Sequence, residues 1–190
     1  MQVIGISGVA RSGKDTLAKC LEIKLAEKGK VVAIRSLAAP LKSNLEIFIK
    51  KNFGINVFNC SDEDKAIIRP ILVAYGGAKR EQSRGTYWTG LMDEEIERLE
   101  KSGFNTVIVP DIRYANPNFE GDELNWLQSK DARLFHVERI LEDGSIVEPP
   151  NDHEKENDPR IKAAADFHII WETQSLEDCL NFIDLRRFRI

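Results

Sequence analysis

Apolar positions along this chain follow two alternating rhythms. Short runs rich in Val and Ile, apolar at consecutive positions, fall at residues 3–7, 31–35, 106–109, 134–137 and 168–171. That texture predicts strands buried on both faces, as in a parallel sheet. Between the runs, apolar positions recur at helical spacing. Leu17, Leu21 and Leu25 make one stripe, in a helix opening at Thr16 and stopped by Gly29. Leu41, Leu45 and Phe48 share a face of a second helix over residues 39–51. Further helices are predicted over 93–101, 119–128 and 176–185, the last with Ser175 as N-cap.

Strands alternating with helices predict an α/β fold, three layers around a parallel five-stranded sheet with right-handed crossovers. Ligands of such sheets bind at the carboxyl ends of the strands. Two stretches break the alternation. Residues 52–89 are long and mixed, with Arg69, Lys79, Arg80, Arg84, Tyr87 and Trp88. Residues 141–160 are polar and rich in Pro, Asp and Glu. Irregular segments of that length predict a functional flap or a disordered segment.

Composition changes this picture little. The 190 residues suffice for one domain with its own core, and the apolar and charged shares, 42% and 31%, suit an ordinary globular protein. The formal net charge of −4 gives no case for nucleic acid or an acidic membrane surface as a partner. No apolar run approaches the ~18 residues of a membrane span. The first residues carry no basic-then-apolar leader pattern. Cys20, Cys60 and Cys179 are scattered without metal-ligand spacing and read as free thiols, so the expected location is cytoplasmic.

The chemistry is concentrated where the first strand ends. Gly8-Val9-Ala10-Arg11-Ser12-Gly13-Lys14 has the G-x-x-x-x-G-K spacing of a phosphate-binding P-loop, or Walker A motif, between a strand and a helix. Its glycines let backbone N–H groups close on phosphates, and Lys14 reaches the β- and γ-phosphates of a nucleoside triphosphate. Arg11 is a weaker candidate for the same phosphates. Asp15 stands where the pattern has a hydroxyl residue, with Thr16 after it. A carboxylate there is a ligand for Mg2+, directly or through water, or simply a first-turn acid favoured by the helix dipole.

A second acidic site closes the third predicted strand. Val109-Pro110-Asp111-Ile112-Arg113 puts an acid and an arginine two positions apart, pointing alike if the segment is extended. Such an acid orients metal-bound water or substrate, and the arginine grips a phosphate or pairs with the acid. Arg139 follows the fourth strand and opens the polar stretch, where a flap arginine would cover transferring phosphates. Arg160 is a lesser candidate for that duty. Lys42 and Arg69 are candidates for the phosphate of an acceptor. Tyr87 and Trp88 read as a base-stacking pair or as core. His153, with Asp152 and Glu154 beside it, reads as part of a solvated flap.

In order along nearly the whole chain, these residues resemble the deoxynucleoside monophosphate kinases of tailed bacteriophages. The likeness rests on Ser7–Thr16 with its Gly-Lys-Asp-Thr ending, Leu37-Ala38-Ala39-Pro40-Leu41-Lys42, Val109–Arg113, His136-Val137-Glu138-Arg139 and Ser175-Leu176-Glu177-Asp178. The resemblance implies a P-loop kinase fold over residues 1–190, with a helical acceptor-binding insertion at about 38–100 and a lid at about 140–162. It implies transfer of phosphate from ATP, with Mg2+, to a deoxynucleoside monophosphate. Carried over, Gly8, Arg11, Ser12, Gly13, Lys14, Asp15 and Thr16 bind ATP. Lys14, Asp15, Asp111 and Arg139 serve catalysis, and Asp15 holds the metal. Lys42, Arg69, Trp88, Asp111 and Arg113 hold the acceptor. The implied partners are small molecules, and the oligomeric state stays open, a homodimer included. Two features depart from the family: the chain is shortened between Phe53 and Arg69, and Glu172-Thr173-Gln174 replaces an Asn-x-Gly near the adenine. The rival readings are a P-loop kinase for dephospho-coenzyme A or a phosphorylated metabolite, and a nucleotide sensor without catalysis.

Overall fold

All five apolar runs form strands in the computed structural model, which describes every residue except 173, 174 and 189. In chain order these are β1 (Gln2–Ser7), β2 (Val32–Ile34), β3 (Thr106–Ile112), β4 (Arg133–Arg139) and β5 (Phe167–Trp171). They make one sheet in the order β2-β3-β1-β4-β5, every pair parallel. β1 is thus central, and its carboxyl end delivers the phosphate loop to the middle of the sheet edge.

The helices are α1 (Lys14–Glu27), α2 (Ala38–Phe53), α3 (Asp62–Ser83), α4 (Thr86–Lys101), α5 (Glu123–Ser129), α6 (Asp152–Ala164), α7 (Leu176–Phe182) and α8 (Leu185–Phe188). Alternate residues of β1 face opposite layers. Ile4 and Ile6 pack with Leu17, Leu21 and Leu25 of α1 and Cys179 of α7. Val3 packs on the other face with Met92 and Leu99 of α4, Leu124 and Leu127 of α5 and Ile161 of α6. The expected three-layer fold with a parallel five-stranded sheet is the one observed.

The two irregular stretches are where the sequence reading and the structure part. Residues 52–89 hold a 22-residue helix, α3, and the start of α4. Pro70 and the Gly76-Gly77 pair read as breakers, yet both lie inside α3. The helix survives because tertiary packing outweighs local propensity. Ile68 closes a small core with Ile49, Ile55 and Val57, and a Cβ at Gly76 would meet Leu41 of α2 at 3.3 Å. Arg84 and Gly85, both left-handed at φ 51° and 89°, turn α3 into α4. The end of 141–160 is likewise helical, since α6 begins at Asp152 and contains Pro159. The last predicted helix is split into α7 and α8, and Ser175 caps α7 in a capping box with Asp178. Among the described residues, no helix is long and apolar enough to cross a membrane.

Candidate functional site

The phosphate loop is fixed from below by its neighbouring strands. Gly8 has φ 131°, and a Cβ there would lie 2.2 Å from the Val137 carbonyl oxygen of β4. Gly13 has φ 98° and sits 3.0 Å, in the same sense, from the Trp171 ring of β5. The Trp171 indole N–H donates to the Ser12 carbonyl at 2.9 Å. Arg11, left-handed at φ 66°, projects outward, with Asp62 3.9 Å away. Both groups are largely exposed, so that pair adds little. The buried Ser12 hydroxyl finds no hydrogen-bond partner among the described residues.

Lys14 is buried and folds back over the loop, its ammonium donating to the Gly8 and Val9 carbonyls at 2.7 Å each. Burial and then the Arg113 charge push its pKa down to about 8, against the pull of Glu154, Asp15 and Asp111. Arg113 and Lys14 therefore share one electrostatic neighbourhood. Asp15 and Thr16 follow in the first turn of α1, Asp15 exposed and Thr16 half-buried.

β3 runs three residues beyond the predicted stop, and its pairing with β1 slips between Gly5 and Ser7, opposite Pro110 and Asp111. A bulge there accommodates the proline and re-aims the acid. The carboxylate of Asp111 accepts from Leu37 N–H at 2.9 Å, Ala38 N–H at 3.0 Å and the Ser36 hydroxyl at 2.6 Å. It thereby satisfies the N-terminus of α2, which lacks a cap of its own. Asp111 and Arg113, expected to point alike, engage different elements: Arg113 meets Glu154 of α6 at 3.3 Å.

Glu154, read from the sequence only as part of a solvated flap, and Glu123, which it did not single out, both reach this site. Glu154 accepts from Ala10 N–H of the phosphate loop at 2.9 Å. Glu123, in the first turn of α5, is buried and accepts from Arg113 N–H at 2.6 Å and Tyr114 N–H at 3.1 Å. It braces the turn that presents Arg113. Burial, and then the Asp111 and Asp122 charges, push the Glu123 pKa up from 4.5 to about 8, although the two backbone donors pull it down. The folded chain thus keeps a proton that the unfolded chain releases between those values, so stability falls as pH rises through the window. Glu123→Gln is expected to match the wild type in urea unfolding below the window and to exceed it above. An unchanged difference at both ends would show that Glu123 is charged throughout.

β4 ends in a polar cluster behind the loop. The Ser7 hydroxyl donates to the Phe135 carbonyl at 3.2 Å, so the His136 Nδ1–H donates to Ser7 Oγ at 3.0 Å. Burial holds His136 neutral, its pKa down to about 4. Together with Val9, Glu138 and Asp158 it lines a cavity of about 480 Å3, closed on the far side by Ser145–Glu148. Burial and Glu138 push the Asp158 pKa up to about 6. Arg139 is the last residue of β4, half-buried, with its Nε unpartnered among the described residues. The flap that follows is short, a bridge from Ile140 to Ile146 before α6.

The acceptor candidates divide. Lys42 is half-buried on α2, 6.0 Å from the centre of the Phe58 ring, and Arg69 is exposed on α3. Trp88, expected to touch an acceptor, is 7% exposed, donates to the Gly76 carbonyl and meets Tyr87 and Tyr75 edge-on. It is the packing that joins α3 to α4 rather than a free stacking face. His153 is exposed, and no group of three metal-ligating side chains occurs among the described residues. Thr173 and Gln174, where the adenine-side departure falls, lie outside the described residues.

The sequence matches no protein-family model and no curated protein. Among solved structures, a sugar kinase from Janibacter sp. is 12% identical, with 95% of this chain and 91% of that one covered and a TM-score of 0.46. An APS kinase from Mycobacterium tuberculosis, in a mutant form, is 17% identical, with 98% and 96% covered and a TM-score of 0.41. The same kinase in complex with AMPPNP and APS is 16% identical, with 98% and 97% covered and a TM-score of 0.44.

Proposed function

We propose that this chain transfers the γ-phosphoryl group of ATP to a small acceptor, and that the acceptor is a deoxynucleoside monophosphate. One observation carries the reading: Arg113 of the neighbouring strand end comes to the phosphate loop, where Glu154 accepts from both Arg113 Nη1 and Ala10 N–H. A lysine over loop amides suits a triphosphate, and an arginine facing it suits the phosphate of a second nucleotide. The deoxynucleotide itself is supported by the ordered motif likeness and by the helical segment α2–α4 beside that arginine's strand.

Mg2+ fits the residues present. It takes one or two carboxylates plus substrate phosphates and water rather than a protein cage, and Asp15 offers an exposed carboxylate beside the loop. When bound, it would offset charge on the β- and γ-oxygens. The rest falls to the chain's own groups. Loop N–H groups hold the phosphates, Lys14 follows the charge as it moves, and Arg113 aligns the acceptor phosphate with the γ-phosphorus. Asp111 orients the acceptor side through α2. Arg139 and the flap at 140–151 cover the centre and keep water from hydrolysing ATP.

The test is ADP release from ATP and Mg2+ against a panel of deoxynucleoside and ribonucleoside monophosphates, dephospho-coenzyme A and phosphorylated metabolites. Release that depends on a deoxynucleoside monophosphate is the expected result. Dependence on a coenzyme precursor alone moves the chain to the rival kinase class, and ATP binding without transfer makes it a sensor. Within the panel, Arg113→Ala is expected to raise the acceptor KM roughly tenfold or more, as loss of a charge-assisted phosphate contact should. A change confined to the ATP KM would remove Arg113 from the acceptor site.

A further inference from the structure

Glu154 lies where a solvated flap residue has no reason to be. Its side chain is 13% exposed, in the first turn of α6. One carboxylate oxygen accepts from Ala10 N–H of the phosphate loop at 2.9 Å. The other accepts from Arg113 Nη1 at 3.3 Å and from Asn151 Nδ2 at 3.1 Å. The Lys14 ammonium lies on the Gly8 and Val9 carbonyls, next in the chain to that amide. A loop amide, a lysine and an arginine are the donors that grip a transferable phosphoryl group. Here one internal carboxylate lies among all three.

We propose that Glu154 is a positioning residue that stands in for the transferred phosphoryl group. It holds the phosphate loop and Arg113 at the spacing such a group bridges, and it gives up that place when the group arrives. The inference rests on the phosphotransferase reading. Its physical cause is geometric: Ala10 N–H of the phosphate loop and the Arg113 guanidinium converge on one place, and such donors call for an anion between them. Glu154 supplies it at rest, and a phosphoryl group supplies it during turnover. The two anions cannot share those donors, so Glu154 competes with the phosphate.

The exchange asks little of the fold. The body of α6 is anchored away from the site: Asn157 accepts from Ala115 N–H at 2.9 Å, and Ile161 is in the core. The first turn is held by the Asn151 cap, whose side chain accepts from Glu154 N–H at 2.9 Å, and by Asn157 Nδ2, which donates to the His153 carbonyl at 2.8 Å. Swinging the Glu154 side chain out therefore leaves the helix and its cap in place.

The experiment is calorimetric binding of inorganic tripolyphosphate and of ATP to the full chain, alongside steady-state kinetics. Glu154→Gln keeps the shape and one acceptor but removes the charge. It is expected to bind tripolyphosphate about tenfold more tightly than the wild type. Its KM for ATP falls in parallel, and kcat does not rise. Glu154→Asp, too short to span Ala10 and Arg113 together, is expected to tighten binding by less, and serves if the Gln variant fails to fold. Unchanged or weaker tripolyphosphate binding in a folded variant overturns the inference. So does a fall in kcat at unchanged anion affinity, which would make Glu154 a group acting on substrate. Transfer by the wild type without tighter anion binding in either variant removes this inference alone. Tighter anion binding with no transfer to any acceptor removes the kinase reading and leaves Glu154 as the internal anion of a phosphate site.

Discussion

Lys14→Ala will lower the rate of phosphoryl transfer by at least ~10²–10³-fold, the loss seen when one preorganised donor to a transition-state charge is removed. The stability consequence runs the other way, which makes the variant informative. The Lys14 pKa is depressed to about 8 by burial first and Arg113 second, so the folded chain binds this proton less tightly than the unfolded chain does. A charged Lys14 therefore works against folding below that pH, and the penalty is relieved as pH rises from 8 towards the ordinary 10.5. Its hydrogen bonds to the Gly8 and Val9 carbonyls offset part of that penalty. Removing the side chain should leave the melting temperature close to the wild-type value at neutral pH. Circular dichroism melts and acceptor-dependent ADP release measure the two effects separately. Turnover within threefold of wild type in a folded variant would sink the loop's assignment.

What the sequence made legible was whatever depends on short-range rhythm. β1 and β3 are buried along most of their length on both faces, so their short apolar runs announce themselves. The phosphate loop is legible for a related reason: its glycines meet local demands, at Gly8 against Val137 and at Gly13 against Trp171, that no other residue satisfies. α3 was not legible, because its order comes from partners distant in sequence. Most of its residues are at least partly exposed, and Pro70 and Gly76-Gly77 signal a break that packing on α2 overrides. The same holds for α6, which opens with acids and carries Pro159, yet is held by Asn157 and Ile161.

The candidate site divides along the same line. Lys14 and Arg113 were singled out because each belongs to a motif of fixed spacing. Glu154 and Glu123 were not, because nothing in their own neighbourhoods marks them. Glu154 is one acid among several in a polar run, and only the fold brings it to Ala10, 144 residues away in the chain. Asp111 was singled out as a catalytic and acceptor-side acid, and its carboxylate sits on the N-terminus of α2. Its strand-end place was readable, but the bulge at Pro110 that turns it onto α2 depends on pairing with β1.

The largest loss of stability is expected at Asp122, which ties the α3 layer to the turn carrying Arg113. Its side chain is 1% exposed and receives Arg80 Nε at 2.8 Å and Nη2 at 3.0 Å, a bidentate pair across two elements. The Asn116 N–H also donates to it. The Arg80 guanidinium lies 4.1 Å over the Tyr114 ring, so it cannot swing into water without losing that stack. Asp122→Ala leaves a mostly buried cation without its anion, at a cost of ~3–5 kcal/mol. For a chain of this size that is a fall of roughly 6–20 °C in melting temperature. Arg80→Met alone strands the carboxylate and should cost a similar amount. The double variant Arg80→Met/Asp122→Leu, which removes both charges and fills the space, should recover most of the loss, since the desolvation of two ions is then no longer opposed. Single variants each costing under ~1 kcal/mol would show the pair to be solvated, as exposed ion pairs are. Because Asp122 adjoins Glu123, which braces Arg113, the singles should also raise the acceptor KM before they affect ATP. That order of effects separates a strut of the acceptor side from a general weakening of the fold, which would degrade both substrates together.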